Sequence, residues 1–142
     1  MEYHYAYPRA AITADAVILK ETKGQTLVLL IQRASAPFQG MWALPGGFLE
    51  MDETLEECVA RETEEETGLR GLQFKQIAAF SAINRDPRHR TITIAFLALA
   101  DETHQPRAGS DASNARWFPL NKLPQLAFDH GKIIGEVLEV LS

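Results

Sequence analysis

The sequence predicts an α/β protein in which a mixed β-sheet is held between two helices. Three observations carry that reading: several short runs rich in Val, Ile, Leu and Ala, an acidic helical segment in mid-chain, and a helical tail. At 142 residues the chain suits one domain, residues 1–142, with a core large enough to fold alone.

Taken in order, Ala10 to Leu19 and Thr26 to Gln32 read as two strands. Lys23-Gly24 lies in the polar stretch between them, so they are expected to pair as a hairpin. The stretch containing Pro37, Gly40, Pro45, Gly46 and Gly47 is too interrupted to predict regular structure. Asp52 or Thr54 can then cap a helix running to about Thr67, and Gly68 suits a left-handed terminator. Strands are expected around Leu72 to Ala82 and Thr91 to Ala100, separated by the basic loop NRDPRHR. Ala115 to Phe118 predicts a short strand stopped by Pro119. In the tail, from about His130 to Leu141, Ile133, Ile134, Val137 and Leu141 recur at helical spacing and predict a second helix against the sheet.

Hydrophobic residues make up 46% and charged residues 23% of the chain, the balance of a globular protein. The formal net charge of −5 argues against a nucleic-acid groove, which shows as a basic patch or stripe. No basic stretch followed by an apolar one opens the chain, so no signal peptide is expected. The most apolar run, Ile94 to Ala100, is far shorter than the ~20 residues that span a bilayer. Cys58 is the only cysteine, which fits a reducing cytoplasm.

The mid-chain helix carries the chemistry. With ~100° per residue and Leu55 at zero, Glu62 falls near about −20°, Glu66 near about +20° and Glu65 near about −80°. All three continue or border the apolar stripe set by Cys58, Val59 and Thr63, whereas Glu57 and Glu64 point away. Glu62 and Glu66 are like charges four residues apart, which costs roughly 0.2–0.5 kcal/mol even when exposed. A solvated face does not explain acids at the edge of a buried stripe, but a hard divalent cation does. Mg²⁺ and Mn²⁺ prefer oxygen ligands, and Mg²⁺ is commonly held by one or two carboxylates plus substrate phosphates. Pro45-Gly46-Gly47 leads into this segment and permits close backbone approach. Such a cation would also answer how a chain of net negative charge handles a diphosphate.

These residues resemble the Nudix hydrolase family, whose box runs G, five residues, E, seven residues, R-E-apolar-x-E-E-x-G-apolar. Gly47, Glu53, Arg61, Glu62, Glu65, Glu66, Gly68 and Leu69 match in place, and Thr63 departs from the large aliphatic residue of the pattern. The resemblance implies an α/β/α sandwich with the box as loop-helix-loop, and hydrolysis of a nucleoside diphosphate linked to a group X. It implies that Glu62, Glu65 and Glu66 hold Mg²⁺ or Mn²⁺ with the Gly46 carbonyl assisting. Arg61 would orient a glutamate, and Glu53 would brace the loop through a salt bridge. YPRAAITADAVIL, LLIQRASAPFQGMWALPGGF, NRDPRHR, WFPLNKLP and LAFDH are further similar to a bacterial subgroup of ADP-ribose pyrophosphatases, with Asn84 in place of an expected Asp. ADP-ribose would then yield AMP and ribose 5-phosphate.

Some relatives of this subgroup act as DNA-binding regulators through a winged helix placed after the domain; this chain ends at the tail helix. The expected partner is therefore a nucleotide, with no nucleic acid and no membrane, and a homodimer by analogy. For substrate contact the candidates are Arg33, which follows a strand, and Arg85 and Arg88 of the basic loop, since Arg suits bidentate phosphate contact. Asp111 is a candidate from a distal loop, as an alternative to Glu62 for the general base. Trp42 or Phe80 is available to stack on a base, and His130 is expected to cap the last helix or orient a loop. Two alternative functions share the box: hydrolysis of noncanonical nucleoside triphosphates, and sensing of ADP-ribose without cleavage.

Overall fold

The computed structural model describes residues 2–107 and 112–142, with the backbone alone at residue 113. The element order is β1 (Ala11–Thr22), β2 (Gln25–Arg33), β3 (Trp42–Ala43), β4 (Gly46–Phe48), α1 (Leu55–Thr67), β5 (Lys75–Phe80), β6 (Thr91–Ala100), β7 (Ala112–Pro119) and α2 (His130–Leu141). The strands form one seven-stranded mixed sheet with the path β3-β2-β1-β6-β5; β4 pairs with β1 and β7 with β2. The β1–β6 ladder is parallel, with Ala11 opposite Thr91 and Lys20 opposite Ala100, and every other pairing of named strands is antiparallel.

A helix covers each face. Ala14, Ala16, Ile18, Leu29, Phe96 and Ala98 pack with Cys58 and Val59 of α1. Val17, Leu19, Val28, Leu30, Ala95 and Leu97 pack with Ile133, Ile134 and Val137 of α2. Burial on both faces is why β1 reads as a near-continuous apolar run instead of alternating. At ~25 cal/mol per Å², each fully buried Val, Leu, Ile or Phe contributes roughly 1.5–3 kcal/mol.

Local signals account for the hairpin and both helices. Lys23 and Gly24 both have positive φ (51° and 76°), the two-residue turn whose twist matches a β-hairpin. Thr54, not Asp52, is the cap of α1. Its side chain accepts from Glu57 N–H while the Glu57 carboxylate accepts from Thr54 N–H. Gly68 closes the helix at φ 77°, its N–H donating to the Glu64 carbonyl.

Four sequence expectations need correction. The interrupted stretch contains β3 and β4, two short strands stabilised by partners distant in sequence. β5 begins at Lys75 because Gly71 turns the chain, while Leu72 and Phe74 pack on the α1 side without joining a ladder. It also stops at Phe80, before the loop. β7 is longer than expected and includes Pro119, tolerated at the last pair of a strand, opposite Leu27.

The sheet forks at β1. One edge of β1 is taken by β6 along its length. The other is shared by β2 at Leu19–Thr22 and by β4 at Thr13–Asp15. Ala16 N–H, at the branch point, donates to the Pro45 carbonyl at 2.8 Å. The fork brings the double-glycine strand over the N-terminal half of β1 and against α1.

Candidate active site

A cleft of about 440 Å³ opens at the fork. Its walls include Asp15 of β1, Gly46, Gly47 and Phe48 of β4, Glu62 and Glu66 of α1, and Arg33, Arg85, Asp86, Arg88, Phe128 and His130.

The two glycines are explained by close approach. A Cβ on Gly46 would lie 2.7 Å from Asp15 Cα and closer still to Asp15 Oδ1 and the Ala14 carbonyl. A Cβ on Gly47 would lie 2.7 Å from Glu62 Oε1 and closer still to Cδ and Oε2. The chain can therefore seat β4 between an aspartate and a glutamate only where side chains are missing. Gly46 N–H donates to Glu66 Oε1 at 2.8 Å, so backbone and helix are joined at the cleft.

Arg61 organises the acids. Its Nε donates to Glu53 Oε2 at 2.9 Å and its Nη2 to Glu53 Oε1 at 2.7 Å, a bidentate pair. Its Nη1 donates to Glu62 Oε1 at 2.7 Å and reaches Glu65 at 3.3 Å. The hydrogen bond from Arg61 holds Glu53 down at about 2, and the same pairing raises the Arg61 pKa. Burial raises the Glu62 pKa despite the opposing hydrogen bond and charge of Arg61. Cys58 lies beneath, its thiol pushed up to about 12, first by burial and then by Glu53; it is an inert core thiol.

The remaining predicted residues divide clearly. Glu66 is buried in the cleft wall and Glu62 is half-buried there, whereas Glu65 stands outside the lining with its side chain 45% exposed. Glu53 is likewise outside the lining, behind Arg61. Arg33 lines the cleft, with Nε donating to the Pro37 carbonyl at 2.7 Å. Arg85 lines it too, but its guanidinium grips Asp129 bidentately at 2.9 and 2.7 Å and is 4% exposed. That grip leaves Asp129, at the N-cap of α2, with no side-chain capping bond. Arg88 pairs with Asp86 at 3.1 and 2.9 Å. Burial raises the Asp86 pKa, but the Arg88 hydrogen bonds outweigh it and bring Asp86 to about 2. Asp111 lies outside the described residues.

Trp42 and Phe80 are core residues on the α2 side, not stacking platforms. The cleft aromatics are Phe48 and Phe128: Arg88 lies 5.1 and 5.3 Å from their ring centres, and Arg33 lies 5.1 Å from that of Phe128. No periodicity or motif marks these rings as cleft residues, although Phe48 directly follows the double glycine. Asp15 is a cleft residue whose one mark in the sequence is an acid inside the apolar run ITADAVIL.

Among the described residues, no three His, Cys, Asp or Glu side chains converge as a ready-made metal cluster. The donors present nonetheless suit a hard cation: two carboxylates, Glu62 and Glu66, beside a half-buried glycine backbone that lines the cleft, with room there for phosphate oxygens.

Fork, glycine strand and acidic helix together define a Nudix fold, and the NUDIX domain family matches residues 10–139. The chain belongs to that family and is a Nudix hydrolase domain. It is 45% identical over 132 residues to an ADP-ribose pyrophosphatase of Methanocaldococcus jannaschii, covering 93% of this chain and 75% of that protein. It is 33% identical over 140 residues to the ADPR responsive transcriptional repressor NtrR of Acinetobacter baylyi, covering 96% of this chain but only 56% of the repressor. Among solved structures, the NUDIX domain of Shewanella oneidensis NrtR complexed with ADP ribose superposes with a TM-score of 0.90 at 33% identity, covering 96% of this chain and 92% of that one. No helix among the described residues is long and apolar enough to cross a membrane.

Proposed function

We propose that this chain hydrolyses the pyrophosphate bond of a nucleoside diphosphate linked to X, with ADP-ribose cleaved to AMP and ribose 5-phosphate, using Mg²⁺ or Mn²⁺. The observation that carries the reading is the placement of Glu62 and Glu66 with the Gly46–Gly47 backbone on one wall of a cleft whose other walls bear Arg33 and Arg88. Glu66 and Glu62, with the Gly46 carbonyl, are the residues to hold the cation; Glu65 supports them through Arg61. When bound, the cation neutralises charge on the diphosphate oxygens and lowers the pKa of an attacking water.

The chain's own residues divide the rest of the work. Arg61, anchored on Glu53, fixes the Glu62 carboxylate on the cleft side. Its place on the cleft wall makes Glu62 the candidate to take the proton of the attacking water; general-base assistance is typically worth 10²–10⁴-fold. Arg33 and Arg88 border the space for the diphosphate, and Phe48 and Phe128 offer apolar faces beside them.

The test is a panel of ADP-ribose, NADH, diadenosine polyphosphates, sugar nucleotides and nucleoside triphosphates with Mg²⁺ and Mn²⁺. AMP from ADP-ribose supports the reading; inorganic pyrophosphate from nucleoside triphosphates alone would replace it with the pool-cleaning activity. A second reading, an ADP-ribose-responsive binding domain, draws on the similarity to the repressor. Calorimetric binding of ADP-ribose with no AMP released over hours would favour it.

A further inference from the structure

A second set of polar groups in the cleft is unused by the box acids. Asp15 on β1 and His130 at the start of α2 are 5% and 6% exposed, at a point where the next α2-facing residues of β1, Val17 and Leu19, are apolar core. The Leu44 N–H donates to His130 Nδ1 at 3.0 Å. A ring nitrogen that accepts carries no proton, which assigns the ring hydrogen to Nε2. Nε2 faces Asp15 Oδ2 at 3.4 Å. Asp15 is the cross-strand partner of Gly46, its Oδ1 fills the space a Cβ there would take, and Gly46 N–H bonds Glu66. A continuous line of contacts thus runs from α2 through the glycine strand to α1.

We propose that His130 and Asp15 are positioning residues that clamp the segment from Leu44 to Gly47 from the α2 side. They set the height of the Gly46 peptide beside Glu66, and so the affinity of this wall for a divalent cation. Two anchors are needed because the segment is short and glycine-rich: the Leu44 amide is fixed by the ring, and the Gly46 backbone rests on the aspartate. The kinetic part of the claim rests on the hydrolase reading; the binding part does not.

The experiment compares wild type with His130→Asn, His130→Gln, His130→Phe and Asp15→Asn. Asn retains an acceptor near the Nδ1 position, Gln retains reach towards Asp15, and Phe retains only the planar volume. Readouts are Mn²⁺ affinity by calorimetry, the ¹⁵N shifts of the His130 ring, the Gly46 amide resonance, melting midpoint, and kcat and KM on ADP-ribose. The expected results are a protonated Nε2 with bare Nδ1 in wild type, and a loss of about 10–100-fold in Mn²⁺ affinity for His130→Phe, the range typical of groups that orient metal ligands. His130→Asn recovers part of that loss, the Gly46 amide shifts in proportion, and kcat falls more than KM rises. A folded His130→Phe that binds Mn²⁺ as wild type does, or a ring protonated on Nδ1, overturns the proposal. Should His130→Phe fail to fold, His130→Asn, His130→Gln and Asp15→Asn decide it: wild-type Mn²⁺ affinity in all three overturns it. If wild type cleaves nothing in the panel while the affinity and resonance changes appear, the hydrolase reading fails and the clamp stands.

Discussion

Replacing Gly47 by Ala is a sharp probe of the cleft. Gly47 is absent from the residues with positive φ, so its backbone accepts an alanine. What the added Cβ meets is the Glu62 carboxylate, 2.7 Å away at Oε1 and nearer at Cδ and Oε2. Because unstrained contacts lie near ~3.5 Å, the carboxylate must retreat by about 1 Å. That movement also pulls Oε1 from Arg61 Nη1, now 2.7 Å away. Overpacking typically costs 1–3 kcal/mol, and the low end is expected here because the obstacle is the far end of a flexible side chain. A fall in melting temperature of about 2–4 °C would accompany it. Function should suffer far more, since a misplacement of about 1 Å can cost 10²-fold in rate. The assay is kcat/KM for ADP-ribose in Mg²⁺, alongside Mn²⁺ binding and thermal melts. Wild-type kcat/KM in Gly47→Ala would show that Glu62 is not held where the chemistry needs it.

Other outcomes are equally specific. Glu66→Gln keeps an oxygen for the Gly46 N–H but removes the charge, so turnover should fall about 10²-fold or more with little change in melting temperature; full activity would remove Glu66 from the metal ligands. Thr63 is buried with its hydroxyl unpaired, so Thr63→Val should raise stability by roughly 1 kcal/mol in denaturant titration; a loss would show that the hydroxyl is satisfied. Glu53 and Asp86 are both lowered to about 2, from 4.5 and 3.8. Their contribution to stability is complete above those ordinary values and drains away as pH falls towards 2, where the unfolded chain binds more protons than the native one. Glu62, shifted upward, works in the opposite sense over the pH range just above 4.5. Denaturant midpoints measured from pH 6 to 2.5 should fall in acid, and less steeply in Arg61→Ala; identical slopes would contradict the assigned role of the Arg61 pairs.

How much was legible beforehand follows from the distance over which each contact acts. The capping box of Thr54 and Glu57, the left-handed Gly68 and the Lys23-Gly24 turn are local hydrogen-bond and dihedral requirements, and each was written in neighbouring residues. Helical spacing placed Glu62 and Glu66 at the edge of a buried stripe, and the cleft wall is where they are found. The same wheel brought Glu65 to that edge, yet its side chain is drawn outward beside Arg61, whose reach the wheel underestimated.

The sequence by itself determined the helices, the long strands and the acid-bearing helix face, because those depend on interactions within a few residues. Only the tertiary structure decided that β1 would fork between β2 and β4, and that Asp15 would sit against Gly46. It alone paired Arg85 with Asp129 and His130 with Leu44, residues 44 and 86 positions apart. Such contacts form when strand pairing and burial on both faces of the sheet bring distant segments together, and no periodicity or cap in either segment names its partner.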